Sequence, residues 1–248
     1  MKVLGFMPMH YGAEYLEAVL KAVEPVIDGF LIAYTPRPSY SHQGGIQCPE
    51  SRDALSSIAN RVLGSKLIWI DGTYNSEGEH RNVALPYLAQ YDMIFSIDAD
   101  EVWDRPDLAI QEAWDNPCNH IGVGGDCWLH MWRSFNEANT DGFYPMRFRK
   151  KHGIDFSPDK GIIHSGTVYH FGYAQSEEIT KYKLSCHGHK NEWKPNWLRE
   201  KWLNYEKGVT QYLHPTTDAY WIETIEVDKS KMPQVLKDHK NFNLDKIV

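Results

Sequence analysis

GEHRNVALPYLAQYDMIFSIDADEVW, residues 78–103, is the stretch from which the rest of the chain can be read. A helical segment, Glu79–Ala89, leads into an apolar strand, Asp92–Ile97, which stops at Asp98-Ala99-Asp100-Glu101. Acids at positions i and i+2 of an extended chain project to the same side. Two carboxylates ionised side by side repel unless a cation lies near them. Mg²⁺ and Mn²⁺ take one or two carboxylates together with substrate phosphates, so either ion suits the pair. The plainer alternative is an Asp pair in a turn that caps the next helix, with Pro106 near its first turn.

Toward the N-terminus, strand and helix alternate. Val3–Pro8, Gly29–Tyr34 and Lys66–Ile70 read as buried strands. Glu14–Val26 and Ser51–Leu63 carry apolar residues at helical spacing. Pro36, Pro38, Gly44 and Gly45 punctuate a long loop. Strands separated by helices give βαβ units and a mostly parallel sheet. In such sheets ligands bind beyond the carboxyl ends of the strands, so Pro8–Tyr11, Thr35–Arg37, Asp71 and Asp98–Glu101 should converge on one crevice.

The second half is less regular. Asn119–Leu129, interrupted by Gly122, Gly124 and Gly125, and Tyr144–Arg149 read as strands. Glu177–Leu184 and Trp197–Tyr212 read as helices, Asp218–Val227 as a late strand, and the last twenty residues as a polar, basic tail or surface helix. The chain reads as a single α/β unit, residues 1–248, with a regular first half (1–104) and a less regular second half with C-terminal helices (105–248).

Composition narrows the classes. A formal charge of -7, with basic residues clustered only at Arg147, Arg149, Lys150 and Lys151, disfavours a nucleic-acid partner. Aromatic residues make up 13% of the chain, a content that suits sugar or base stacking and equally a packed core. Cys48, Cys118, Cys127 and Cys186 form no CxxC pair, which argues against a zinc or redox motif and for thiols in a reducing compartment. The apolar run at the start is too short for a signal-peptide core, and no later run reaches membrane-spanning length. The expectation is a cytoplasmic protein without a transmembrane segment.

The quoted stretch resembles the centre of glycosyltransferases of the GT-A fold, especially those of the family 2 type. Their pattern is an acid, Arg-Asn-x-Ala on a helix, then a hydrophobic strand ending in Asp-x-Asp-Glu. Here those positions are Glu79, Arg81, Asn82, Ala84, Asp98, Asp100 and Glu101. A second stretch, Arg147–Lys183, resembles the later half of related bacterial enzymes through Arg147, Phe148, Arg149, His164, the His170-Phe171-Gly172-Tyr173 segment and Lys181. The HFGY segment is also similar, more faintly, to the bisecting N-acetylglucosaminyltransferase family. Where many relatives carry Glu after the first of these histidines, this chain has Ser165.

The resemblance implies a GT-A (nucleotide-diphospho-sugar transferase) fold with a nucleotide-sugar-binding half (1–104) and an acceptor-binding half (105–248), a UDP-sugar donor, Mn²⁺ or Mg²⁺, and inverting transfer to a hydroxyl-bearing acceptor such as a glycan or lipid-linked saccharide. It implies metal contacts from Asp98 and Asp100, and a late histidine, His170 or else His187, can complete such a site. The donor pocket is expected from Pro8, His10, Tyr11, Thr35, Asp71, Glu79, Arg81 and Asp98. Tyr11 would stack on the base, Asp71 would accept from its ring N–H, and Arg81 would pair with phosphate. Asp126 and Asp159 are the candidate general bases, with His164 beside them as a further catalytic candidate. Asp126–Ala138, rich in aromatics, is a candidate acceptor platform. Two rivals stand beside this reading. A nucleotidyltransferase acting on sugar phosphates would normally show a Gly-rich, basic phosphate loop after the first strand, where this chain reads MPMHYGAEY. A non-catalytic carbohydrate-binding protein would have no need of the acid pair.

Overall fold

A run of apolar residues that hides both faces from water becomes an interior strand, and VLGFMPM does so as β1 (Val3–Met9). The computed structural model describes residues 1–38, 46–140, 145–151, 160–186 and 188–247. After β1 come α1 (Ala13–Val23), the fully buried β2 (Gly29–Tyr34), α2 (Arg52–Leu63) and β3 (Leu67–Asp71). Ser51 caps α2 by accepting the Ala54 amide at 3.2 Å. The helix expected over Glu79–Ala89 is split. α3 (Glu77–Asn82) ends early and a 3₁₀ turn covers Leu85–Ala89, because Pro86 cannot donate to the helical ladder. β4 (Met93–Ser96) follows.

The chain continues through β5 (Glu101–Asp104), α4 (Pro106–Asp115), β6 (His120–Val123), β7 (Trp128–Trp132), β8 (Glu137–Asn139) and β9 (Met146–Lys150). It closes with β10 (Lys160–Ile163), β11 (Thr167–Tyr173), α5 (Glu177–Cys186), β12 (Ile225–Glu226) and α6 (Gln234–Lys237). Seven strands form the central sheet in the order β10-β6-β9-β4-β1-β2-β3, with β9 antiparallel to both neighbours and the other pairs parallel. A second sheet runs β12-β8-β7-β11-β5. The expected mixed α/β architecture, a mostly parallel sheet flanked by helices, is present. The single strand expected over Asn119–Leu129 is two. The chain leaves the central sheet after β6 and enters the second sheet at β7 through a turn at Gly125–Cys127.

The C-terminal third departs most from expectation. Only Leu198–Leu203 of the helix expected over Trp197–Tyr212 is helical, and it is wound with i to i+5 bonds, such as Asn204 N–H to the Arg199 carbonyl at 3.0 Å. Packing overrides the helical period here: Trp132, Tyr173, Trp197, Trp202, Leu213 and Trp221 form a separate aromatic core. The strand expected over Asp218–Val227 shortens to β12 beside β8. Nor are the last residues a tail. Met232, Leu236 and Ile247 join the main core, and the His239 ring stacks on Tyr15 at 4.8 Å. No helix among the described residues is long and apolar enough to cross a membrane.

Trp202 is fully buried, its indole N–H donates to the Tyr173 carbonyl at 3.0 Å, and the Arg133 guanidinium lies over its ring. Trp202→Ala is expected to cost about 3–5 kcal/mol, the usual range for truncating a large core aromatic. Urea unfolding measures the loss, and a change within experimental error would mean that the aromatic core contributes little.

Candidate functional site

Asp98 begins where β4 stops. Its amide donates to Glu101 Oε2 at 3.0 Å, while the Glu101 amide returns to the Asp98 carbonyl at 3.1 Å. This turn sends the chain into β5, so the acids do not cap α4, whose N-terminal neighbour is Arg105. Ala99 is fixed by close packing. It lies against Gly12, where an added Cβ would sit 2.4 Å from the Ala99 Cβ and where φ is +136°.

The side chains at this turn form one charge network. Asp98 accepts from Arg81 at 3.4 Å and from Arg147 at 3.3 Å. Glu101 is buried and paired with Arg147 through both carboxylate oxygens, one contact being Nε to Oε2 at 3.0 Å. Asp100 accepts from Gln175 Nε2 at 3.2 Å, and Lys183 Nζ stands 3.5 Å from its Oδ2. His170 Nε2 is 3.7 Å from its Oδ1. Burial alone would raise the Asp98 pKa, but Arg81 and then Arg147 outweigh it and hold the carboxyl well below the usual range. Burial, with lesser effects of His130 and Lys183, keeps the His170 imidazole well below its ordinary value and therefore neutral at pH 7.

The HFGY segment supplies the opposite wall. Phe171 N–H donates to the Asp100 carbonyl at 2.8 Å, which seats β11 on the acidic turn. His170 and His130 meet Nδ1 to Nδ1 at 2.9 Å, a contact that needs one of the two atoms protonated and the other bare. Lys183 donates to the Gly172 carbonyl at 3.1 Å. A Cβ on Gly172 would lie 2.8 Å from both the His170 ring and Lys183 Nζ, so the glycine keeps the space these two side chains occupy.

Between these walls lies a cleft of about 670 Å³, within the range of small-ligand sites. Pro8, His10, Tyr11, Thr35, Arg81, Asp98, Asp100 and His170 all line it, as expected, at the carboxyl ends of β1, β2 and β4 and on the second sheet. Tyr173 of the HFGY segment also lines it, as do Gln175, Lys183 and His80, which were not among the residues singled out. Helical phase was the available signal for Lys183: Ile179, Thr180, Tyr182, Lys183 and Cys186 share the buried face of α5, whereas Lys181 points outward to Glu177 at 2.5 Å.

Other expectations need correction. Asp71 does not reach the cleft. It ends the edge strand β3 and is held by Arg52 through two bonds of 2.6 and 2.8 Å. Glu79 is spent at the start of α3, where its carboxylate accepts the Asn75 amide at 2.8 Å and its amide donates to Ser76 Oγ at 3.1 Å; Glu77 lines the cleft instead. Trp128 and Trp132 are buried, so they form no open acceptor platform. His164 and Asp126, chosen separately, are in contact: His164 Nδ1 donates to the Asp126 carboxylate at 2.9 Å, and both side chains are exposed. They follow β10 and β6, strands parallel to β4, and so stand at the same edge of the sheet without lining the cleft. Asp159 and His187 lie outside the described residues.

The residues in place do not fit a resident divalent cation. Asp98 and Asp100 are already faced by Arg81, Arg147 and Lys183. Among the described residues no three His, Cys, Asp or Glu side chains converge as a metal-binding group.

No family model and no curated protein matches this chain. Solved structures do. A candidate nucleotide-diphospho-sugar transferase from Desulfovibrio desulfuricans G20 is 13% identical over 60% of this chain and 64% of its own, with a TM-score of 0.36. S. aureus TarS (1–349) is 15% identical over 50% of this chain and 35% of its own, at a TM-score of 0.34. The 4-diphosphocytidyl-2C-methyl-D-erythritol synthase of Anaerococcus prevotii is 11% identical over 73% of this chain and 93% of its own, at 0.42. The chain thus spans less than two thirds of the first two. At these scores neither fold nor activity carries over, and both rest on this chain's own strand order and cleft.

Two outcomes follow from the charge network. The unfolded chain protonates His170 near 6.5, whereas the folded one resists. The unfolded state therefore binds more protons below that value, and stability falls as pH drops through it. Between pH 7 and pH 5 the melting temperature of the wild type should lose ground relative to that of His170→Asn; equal slopes would remove His170 from the account. Gly172→Ala should leave the fold intact but displace Lys183 and His170, seen as a shifted histidine resonance in NMR, and an unmoved resonance would mean that the wall can yield.

Proposed function

We propose that the protein is a glycosyltransferase that moves a sugar from a nucleoside diphosphate donor, with uridine the first choice, to an acceptor hydroxyl with inversion. The observation that carries this reading is a single cleft, at the carboxyl ends of three parallel strands, in which aromatic surface, carboxylates and cations meet. Pro8 and Tyr11 offer ring surface to a base, and Tyr11 is itself set edge-on to Tyr182 at 5.4 Å. Arg81 presents a planar guanidinium to phosphate oxygens. The nucleotide would lie from β2 across β1, with its diphosphate at Arg81 and Asp98 and the sugar toward His170 and Tyr173.

In the reaction, the acceptor oxygen forms a bond to the anomeric carbon as the bond from that carbon to the diphosphate breaks, its electron pair leaving with the phosphate oxygen. Cations fixed in advance at the leaving oxygen lower the barrier most effectively. The acceptor's proton needs a base. The paired His164 and Asp126 do not line the cleft, so they are not placed to receive it. Ser165, which stands where relatives have an acid, donates its amide to Glu112 at 2.8 Å and so helps to hold this loop.

Incubation with UDP-hexoses, followed by NMR of the products, tests the reading. Slow release of UDP and free sugar is expected without acceptor, and faster release with it. Arg81→Ala should weaken UDP binding by about ten- to hundredfold, the scale of a lost charge-assisted hydrogen bond. His164→Ala, outside the cleft, should leave both UDP affinity and turnover unchanged. Pyrophosphate release from UTP and a hexose 1-phosphate would point to nucleotidyl transfer instead, and sugar binding without turnover to a binding protein.

A further inference from the structure

We infer that two side-chain cations, Lys183 and Arg81, neutralise the donor's diphosphate, so that donor binding needs no divalent metal. This rests on the cleft being a nucleotide-sugar site. Asp98 and Asp100 stand where a cation would be expected, yet each already faces protein cations. Arg81 and Arg147 lie 3.4 and 3.3 Å from Asp98, and Lys183 lies 3.5 Å from Asp100. A divalent ion placed between the two acids would meet all three positive groups at close range, and two of them, Arg147 and Lys183, are largely withdrawn from water, where like charges repel more strongly.

Lys183 is built into this position. Its side chain is only 11% exposed, on the inner face of α5. The Gly172 carbonyl accepts from its ammonium, the Tyr173 ring lies 5.1 Å beneath it, and the missing Cβ of Gly172 leaves it room. A lysine withdrawn this far from water needs anionic partners, and Asp100 is only one. Arg81 keeps its side chain 34% exposed at the mouth of the same cleft, with Glu77 bracing it from behind at 2.7 Å. When a diphosphate enters, its oxygens share the two cations with the carboxylates. The acids thus hold the cations in register before the ligand arrives.

Calorimetric titration with UDP, in EDTA and then in Mn²⁺, decides the matter. The wild type should bind equally well, within about twofold, in both. In EDTA, Lys183→Met should weaken binding by about tenfold or more, and Lys183→Arg should restore most of it, as a charge-assisted contact requires. Binding that appears only with Mn²⁺, or a folded Lys183→Met protein that binds UDP in EDTA like the wild type, would overturn the inference. The comparison of EDTA with Mn²⁺ uses the unaltered chain, so it stands even if a variant fails to fold. Absence of UDP binding under both conditions would defeat the nucleotide-site reading itself and this inference with it.

Discussion

The buried ion pair of Glu101 and Arg147 joins the two sheets. Glu101 opens β5 in the second sheet, and Arg147 sits in β9 of the central sheet. Burial pushes the Glu101 carboxyl up, while Arg147, bonded to both of its oxygens, opposes the rise, and Asp98 and Asp100 add to it. Such a pair has little value as net stability, because withdrawing two charges from water offsets much of their attraction. Its value lies in geometry. Removing either partner would strand a charge in the interior, so the two sheets can dock in only one register. The same two side chains then reach outward. Glu101 accepts the Asp98 amide, and Arg147 donates to the Asp98 carboxylate. The direction of the acidic turn, and with it the floor of the cleft, follows from a pair that is almost wholly buried.

Much of the central sheet was legible because its strands are buried on both faces. Continuous apolar runs such as GFLIAY admit few other readings, and Gly29–Tyr34 is the strand expected, residue for residue. Arg81, on α3, was placed in the crevice through the family resemblance, whereas Asp98, Asp100, Tyr11 and Thr35 could be placed there because parallel topology brings strand ends together. Asp71 was misplaced by the same rule. A strand end at the edge of a sheet is near solvent, and a neighbouring arginine claimed it. Glu79 fell to a competing local rule, since an acid three residues after Ser76 is also a helix-start device.

The later half was less legible because its order depends on contacts between distant segments. Arg133 holds the carbonyls of Trp202 and Leu203, and Tyr15 donates to the carbonyl of Ala174. Neither bond leaves a local periodic trace. A polar, basic C-terminal stretch reads as solvated, yet Asn241 donates to Glu14 at 2.8 Å and Leu236 is buried, because the residues between them wrap over α1. The choice of Lys181 over Lys183 shows the same limit on a smaller scale: the segment was rightly helical, and which lysine faced inward was a question of phase that packing decided.

An acid pair after a strand is ambiguous for a physical reason. Two carboxylates at this position call for positive charge, and the sequence does not say whether an ion or side chains provide it. Here three side chains from three separate elements, α3, β9 and α5, supply it. Side-chain cations have a different consequence from a metal. A metal arrives with water to shed and leaves with product, whereas Arg81, Arg147 and Lys183 are oriented by folding, before any ligand is present. The cost is borne by the acids, which must remain ionised among neighbours of their own sign. Asp98 meets it with two guanidiniums. Asp100 meets it with an ammonium and an amide, and with a backbone carbonyl tied to Phe171. On this view the acid pair is the scaffold that keeps the cations apart and pointed at one place, and Ala99, seated against Gly12, fixes the distance between its two arms.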